Sequence, residues 1–244
     1  MNKPVYFISD IHLGLESFEK EQVKEKSFVA FLRSIADDAG TLYIVGDLFD
    51  YWFEYKRVYQ KGFFRTLNAL AELADKGVEI HYIIGNHDFM HRDFFEKHVG
   101  VHLCHDTITV ELDGKKFFIA HGDGLVANDI GYKILKKVLR NRFTQWLYSF
   151  IHPDLGIAVA SHSSKTSREY TAKKDYGEQD SMFIAARGYI EKGFDFVIFG
   201  HSHVRMLKTY KQGTYINLGT WLQNPCYGIY KDKVFKIINW NYNG

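Results

Sequence analysis

The 244-residue sequence predicts an α/β fold whose sheet is mixed, or whose strands divide between two sheets, and three observations carry that reading. Five short apolar runs, rich in β-branched and aromatic residues, each end beside a polar signature. Helical periodicity fills the gaps between the first three runs and precedes the last. Asp113-Gly114, the strongest kind of short hairpin signal, joins two strand-like segments in mid-chain.

In chain order, residues 5–9 read as a buried strand, followed by a helix near 23–36, a strand at 41–45, a helix near 62–76 and a strand at 79–84. Segments 107–112 and 115–120 flank the Asp-Gly turn as an antiparallel pair. A helix near 181–192 leads into a strand at 194–199. Alternating patterns near 204–211, 214–218, 227–230 and 234–238 supply the remaining strands. The whole of 1–244 reads as one domain, long enough to bury a substantial core at 46% hydrophobic residues.

From about 125 to 180 runs a stretch too long for a plain loop, with helical periodicity of its own, and it is read as a helical insertion. Ile130, Ile134, Leu135, Val138 and Leu139 share one face, while Lys133, Lys136, Lys137, Arg140 and Arg142 lie mostly off it. Phe143, Trp146, Leu147, Tyr148 and Phe150 follow. That mixture fits a helix lying on a membrane surface, and it also fits a helix packed on the core with solvated lysines.

A net charge of +2 gives no bulk attraction for nucleic acid. Cys104 and Cys226 are far apart and form no CxxC pair, which suits a reducing cytosol. The apolar start at 5–8 is interrupted by Asp10 too soon for a secretory signal, and no apolar stretch reaches the roughly 20 residues of a spanning helix. A cytoplasmic protein is expected, with peripheral membrane contact left open. No Gly-X-Ser-X-Gly elbow and no Gly-X-X-X-X-Gly-Lys loop is present, so covalent or P-loop chemistry is not expected.

Five signatures stand at the ends of the predicted strands: Asp10-Ile11-His12, Gly46-Asp47, Gly85-Asn86-His87-Asp88, His121-Gly122-Asp123 and Gly200-His201-Ser202-His203. One Asp-X-His is a common accident, but five in this order are not. Hydrolysis of a phosphate ester at neutral pH needs a nucleophilic hydroxide, neutralised phosphoryl charge and help for the leaving oxygen. Two metal ions roughly 3.5 to 4 Å apart supply all three. Ions that close need a shared anionic ligand, and Asp47 is the natural bridge. Oxygen and nitrogen donors without thiolate suit Mn²⁺, Fe²⁺ or Zn²⁺, and Mn²⁺ is the ion expected.

Together these signatures resemble the calcineurin-like metallophosphoesterases over nearly the whole chain. The resemblance implies a mixed β-sheet sandwich flanked by helices. It implies one metal held by Asp10, His12, Asp47 and His203, and a second held by Asp47, Asn86, His121 and His201. It further implies that His87 meets the scissile phosphate without ligating, and that Asp88 orients His87.

Within that family, the runs 7–14, 46–52 and 85–89 and the insertion are similar to the UDP-2,3-diacylglucosamine diphosphatases of lipid A synthesis. That likeness implies hydrolysis of a nucleotide-lipid pyrophosphate to UMP and 2,3-diacylglucosamine 1-phosphate, a lid formed by the insertion, and peripheral association with the cytoplasmic face of the inner membrane. It also implies substrate contacts from Asn86, His87, Asp129, Ser161, Ser164, Lys173 and His201. The chain departs from those enzymes at one place: they commonly carry Arg after the metal-binding Asn, where this chain has His87, as the wider family does. The alternative is a phosphoesterase for soluble nucleotides or other diesters.

Overall fold

The structure, a computed structural model, describes residues 3–125, 130–156 and 178–242. Strands β1 (Val5–Ile8), β2 (Thr41–Val45) and β3 (Glu79–Ile83) lie side by side in parallel, connected by helices α1 (Phe18–Ile35) and α2 (Phe64–Asp75). A short strand, β4 (His102–Cys104), extends this parallel run beyond β3. Beside β1, the antiparallel pair β10 (Cys226–Lys231) and β11 (Val234–Asn239) completes the order β11-β10-β1-β2-β3-β4.

The second sheet is built from β5 (Thr107–Leu112), β6 (Lys115–Ala120), β7 (Phe196–Phe199), β8 (Met206–Tyr210) and β9 (Gly213–Asn217), in the order β5-β6-β7-β9-β8. At the β5–β6 turn Asp113 and Gly114 have φ of 51° and 74°, the two positive angles that a type I′ hairpin needs. Two sheets, each mixed, are therefore present.

Their facing surfaces interleave Val5, Phe7, Tyr43, Val45 and Ile83 with Phe117, Ile119, Ile198 and Ile216. Phe7 stacks on Tyr43 at 5.2 Å and on Phe117 at 6.3 Å, carrying the core from one sheet to the other. Each such side chain contributes about 1.5–3 kcal/mol on burial. This double-sided burial explains why the β1 and β2 sequences are nearly continuous apolar runs. The outer face of the first sheet packs on α1 and α2 through Phe28, Phe31, Leu70 and Leu73.

The described part of the expected insertion, 130–156, holds α3 (Ile130–Leu139) and α4 (Arg142–Tyr148). Helix α5 (Glu178–Glu191) covers the outer face of the second sheet with Met182, Ala186 and Ile190. Among the described residues, no helix is long and apolar enough to cross a membrane.

Candidate active site

The site forms at one rim of the sandwich, where strands of both sheets end. Asp10 and His12 follow β1, Asp47 follows β2, Asn86 and His87 follow β3, His121 follows β6, and His201 and His203 follow β7. The carboxyl ends of parallel strands are where open α/β sheets gather ligands. Here registers such as Ile8 beside Ile44 and Val45 beside Ile83 bring the loops of β1, β2 and β3 to one level.

Five of these side chains stand on strained backbone: φ is positive at Asp10, His12, Asp47, His201 and His203, between 48° and 67°. A left-handed conformation at several non-glycine residues of one cluster is an arrangement that function, not stability, explains. Two glycines make the crowding possible. A Cβ at Gly46 would stand 2.5 Å from Cγ of His121, and one at Gly85 would stand 2.5 Å from the Asp47 backbone nitrogen.

Ligand-type atoms converge in three overlapping groups, each within 4.8 Å: Asp10, His12 and His203; His12, Asp47 and His87; Asp47, His121 and His201. In the first, His203 Nε2 lies 3.2 Å and His12 Nε2 3.6 Å from Asp10 Oδ1, and the two imidazole nitrogens are 3.0 Å apart. In the last, His121 Nε2 is 3.3 Å from Asp47 Oδ2 and 2.9 Å from Asn86 Oδ1. Asp47 Oδ2 also lies 3.8 Å from His12 Nε2, so one carboxylate oxygen stands between the groups. Asp47 Oδ1 accepts the His87 backbone N–H at 2.9 Å.

These residues fit a pair of divalent cations. Asp10 is fully buried, and its Oδ1 has no hydrogen-bond partner while facing two imidazole nitrogens. Such an atom is costly unless a cation or proton meets it. His121 Nδ1 donates to the Val45 carbonyl at 2.9 Å, which turns Nε2 toward the site.

The electrostatics agree. Burial pushes the Asp10 carboxyl up, but His12 and His203 outweigh it and hold it well below the usual carboxylate range. Asp47 is likewise lowered, with burial opposed chiefly by His121 and His87. Burial alone would lower His121, yet Asp47 raises it to about 10. Asp10 and Asp47 are thus held as carboxylates, the form in which they can ligate a cation.

The backbone around this centre is braced by its own side chains. Asp10 Oδ2 accepts the His201 N–H at 2.9 Å and a hydrogen bond from Ser9 Oγ. Buried Asn217 donates to the Gly200 carbonyl at 2.7 Å, and Thr220 Oγ1 donates to the Asp10 carbonyl at 3.0 Å.

His87 stands beside the ligands, its ring 4.9 Å from that of His12. The Asp88 carboxylate accepts Gly85 N–H at 2.9 Å, Phe49 N–H at 3.3 Å and the Tyr82 hydroxyl, and so braces the loop that carries His87. Asp50 stands beside the imidazole, with its carbonyl 3.1 Å and its Oδ1 3.6 Å from His87 Nδ1. Asp50 Oδ1 is also 3.8 Å from His12 Nδ1. Its only sequence signal is an acidic residue three places after Asp47 in a loop of apolar residues.

The insertion corrects part of its sequence reading. Ile134 and Val138 of the apolar face, and Phe143, Trp146, Leu147, Phe150 and Leu155 beyond it, are exposed, so these side chains do not pack on the core. Phe143, Trp146 and Phe150 form a cluster of rings. Tyr148 is half-buried against Phe53, with ring centres 4.9 Å apart. Lys136 and Arg140 are not free solvated cations: both pair with buried Asp123, at 2.6 and 3.6 Å. Burial pushes the Asp123 carboxyl up, but His121, Lys136 and Arg140 bring it down to about 2. The expected substrate contacts Asp129, Ser161, Ser164 and Lys173 lie outside the described residues.

Comparison with known proteins fits this arrangement. The family model of calcineurin-like phosphoesterases matches residues 3–205. A UDP-2,3-diacylglucosamine hydrolase of Porphyromonas gingivalis is 34% identical, the match covering 94% of this chain and 95% of the relative. One of Neisseria meningitidis serogroup B is 31% identical, covering 90% of each. One of Haemophilus influenzae is 29% identical, covering 91% of this chain and 92% of the relative. Among solved structures, an archaeal phosphodiesterase covers 97% of this chain and 99% of its own at 17% identity, with a TM-score of 0.48.

Proposed function

The chain belongs to the calcineurin-like phosphoesterase family, and from that footing we propose that it hydrolyses the pyrophosphate of UDP-2,3-diacylglucosamine to UMP and 2,3-diacylglucosamine 1-phosphate. Relatives that carry this substrate in their name match 90–94% of the chain. The observation on the molecule itself that carries the reading is the exposed apolar surface of 134–155, on the insertion whose Arg140 reaches the Gly85 turn. A soluble protein has little reason to expose that much apolar area in one place unless something apolar covers it.

Asp10, His12, Asp47 and His203 would hold one divalent ion, and Asp47, Asn86, His121 and His201 the other. When bound, such a pair neutralises phosphoryl oxygens and lowers the pKa of a water so that it can attack phosphorus. Donors that are oxygen and nitrogen without sulfur suit Mn²⁺, Fe²⁺ or Zn²⁺, and of these Mn²⁺ is the ion proposed. Asp47 fixes the His87 backbone through its Oδ1 and the Asp50 carbonyl meets the ring at Nδ1, which holds the imidazole beside the metal positions, where it would meet the phosphate and stabilise the departing oxygen. The exposed rings and aliphatic side chains of α3 and α4 would receive acyl chains and contact the lipid surface as a peripheral attachment.

His87, where the lipid A enzymes commonly have Arg, favours a second reading in which soluble nucleotides or diesters are cleaved by the same centre. The bond broken is tested by hydrolysis in H₂¹⁸O. Attack at the α-phosphorus places the label in UMP, and label in the lipid phosphate would contradict the reading.

A further inference from the structure

The cations of the inserted helix, which the sequence alone assigns to solvent or lipid, make a connection that the proposed chemistry does not use. Arg140 stands at the carboxyl end of α3, its side chain about four-fifths shielded from solvent. Its Nη2 donates to the carbonyl of Gly85 at 2.8 Å and to that of Ile84 at 3.3 Å. Its Nη1 donates to the carbonyl of His105 at 3.0 Å, and Nη2 also lies 3.6 Å from Asp123 Oδ2. One planar fork therefore ties the ends of β3, β4 and β6 to the insertion, a geometry that a lysine cannot reproduce. Gly85 immediately precedes Asn86, and Asp123 is two residues after His121; Asn86 and His121 are the two that meet at 2.9 Å. Lys136 adds hydrogen bonds to the carbonyl and carboxylate of Asp123, at 3.2 and 2.6 Å.

We propose that Arg140 is a positioning residue of the metal centre, which fastens α3 to the Ile84–Asn86 turn so that seating of the inserted helix and binding of the ion at Asn86 and His121 favour each other. The proposal rests on the two-metal reading above. Linkage is reciprocal: an ion that fixes Asn86 holds the Gly85 carbonyl where Arg140 can reach it, and a seated α3 holds Asn86 for the ion. The fork's contacts include none with Asp10, His12 or His203, so the position those three would hold should feel its loss least.

The test uses the full chain titrated with Mn²⁺, with calorimetry to count ions and amide hydrogen exchange to follow residues 130–140. For the wild type, two ions bind and saturation slows exchange in α3. For Arg140→Gln, one of the two ions weakens by about 10- to 100-fold, as removal of a group that supports a ligand commonly does, while the other keeps its affinity. Saturation then no longer protects α3. Arg140→Lys, which keeps the charge and loses the fork, falls between. Arg140→Gln with both ions at wild-type affinity overturns the proposal, as does equal weakening of both, which marks a general structural loss. Exchange in wild-type α3 that ignores Mn²⁺ overturns it without recourse to any variant. A wild type that takes up no second ion removes the two-metal reading itself, and is distinguished by that count.

Discussion

Gly85→Ala is the smallest change that should disable the centre. The φ at Gly85 is not in the left-handed region, so alanine costs nothing there in backbone conformation, and the effect is steric alone. The new methyl would stand 2.5 Å from the Asp47 nitrogen and 2.8 Å from its Cγ, and would overlap Oδ1. Backbone cannot swing aside as the end of a lysine can. To reach an ordinary contact of 3.4 Å the β2 and β3 loops must separate by about 0.9 Å. Overpacking of this kind costs about 1–3 kcal/mol of stability. A displacement near 1 Å at a reacting group costs about 100-fold in rate, and here it falls on the carboxylate that both metal positions share. Metal content by elemental analysis, thermal unfolding and turnover would be read together. Gly188→Ala is the control, because its Cβ meets nothing within 4 Å on the exposed side of α5; it should be neutral or stabilise by up to about 1 kcal/mol. If Gly85→Ala keeps two ions, full turnover and the wild-type melting temperature, the close approach of Gly85 to Asp47 and the bridging role built on it are wrong.

Three further outcomes are expected. His87→Ala should retain both ions and lose about 10²- to 10⁴-fold in kcat; loss of an ion would make His87 a ligand. Metal binding should release protons, because His121, raised to about 10 by Asp47 in the metal-free protein, must lose one before Nε2 can ligate. Calorimetry in buffers of different ionisation heat measures that release. The same pair sets a sign for metal-free stability: a raised imidazole contributes fully below about 6.5, and the contribution is lost as pH rises toward 10, so a melting temperature that climbs over that window would refute the pairing. Trp146→Asp with Leu147→Asp, at half-exposed positions, should leave the fold intact and weaken binding to acyl substrate or anionic vesicles several-fold; unchanged binding would return those residues to an ordinary surface role.

Much of this molecule was legible in its sequence for identifiable reasons. β1, β2 and β7, and the ends of β3 and β6 nearest the site, are buried on both faces, so their apolar runs stand out, and β5–β6 announces itself by Asp113-Gly114. β4 escaped notice because three residues, His102–Cys104, carry no apolar run. α1 begins at Phe18, before the expected 23, since its first turns carry exposed Phe18 and Val23 among charged residues and show no buried face. At the site, the metal-type residues follow strand ends and so keep their motif spacing. Asp50 went unnoticed, because a lone acidic residue in an apolar loop completes no motif, and which loop carboxylate stands near an imidazole depends on the turn. The partners of Lys136 and Arg140 were out of reach for a similar reason. Asp123 is 13 and 17 residues away, and only the folded path of the insertion brings it to them.

Release of UMP from UDP-2,3-diacylglucosamine by the purified protein with Mn²⁺, measured beside a soluble nucleotide diester and a phosphomonoester, tests the central claim most directly. The account predicts strong preference for the lipid, abolished in Asp47→Ala. Cleavage of the soluble esters alone would keep the metal centre and contradict the lipid substrate.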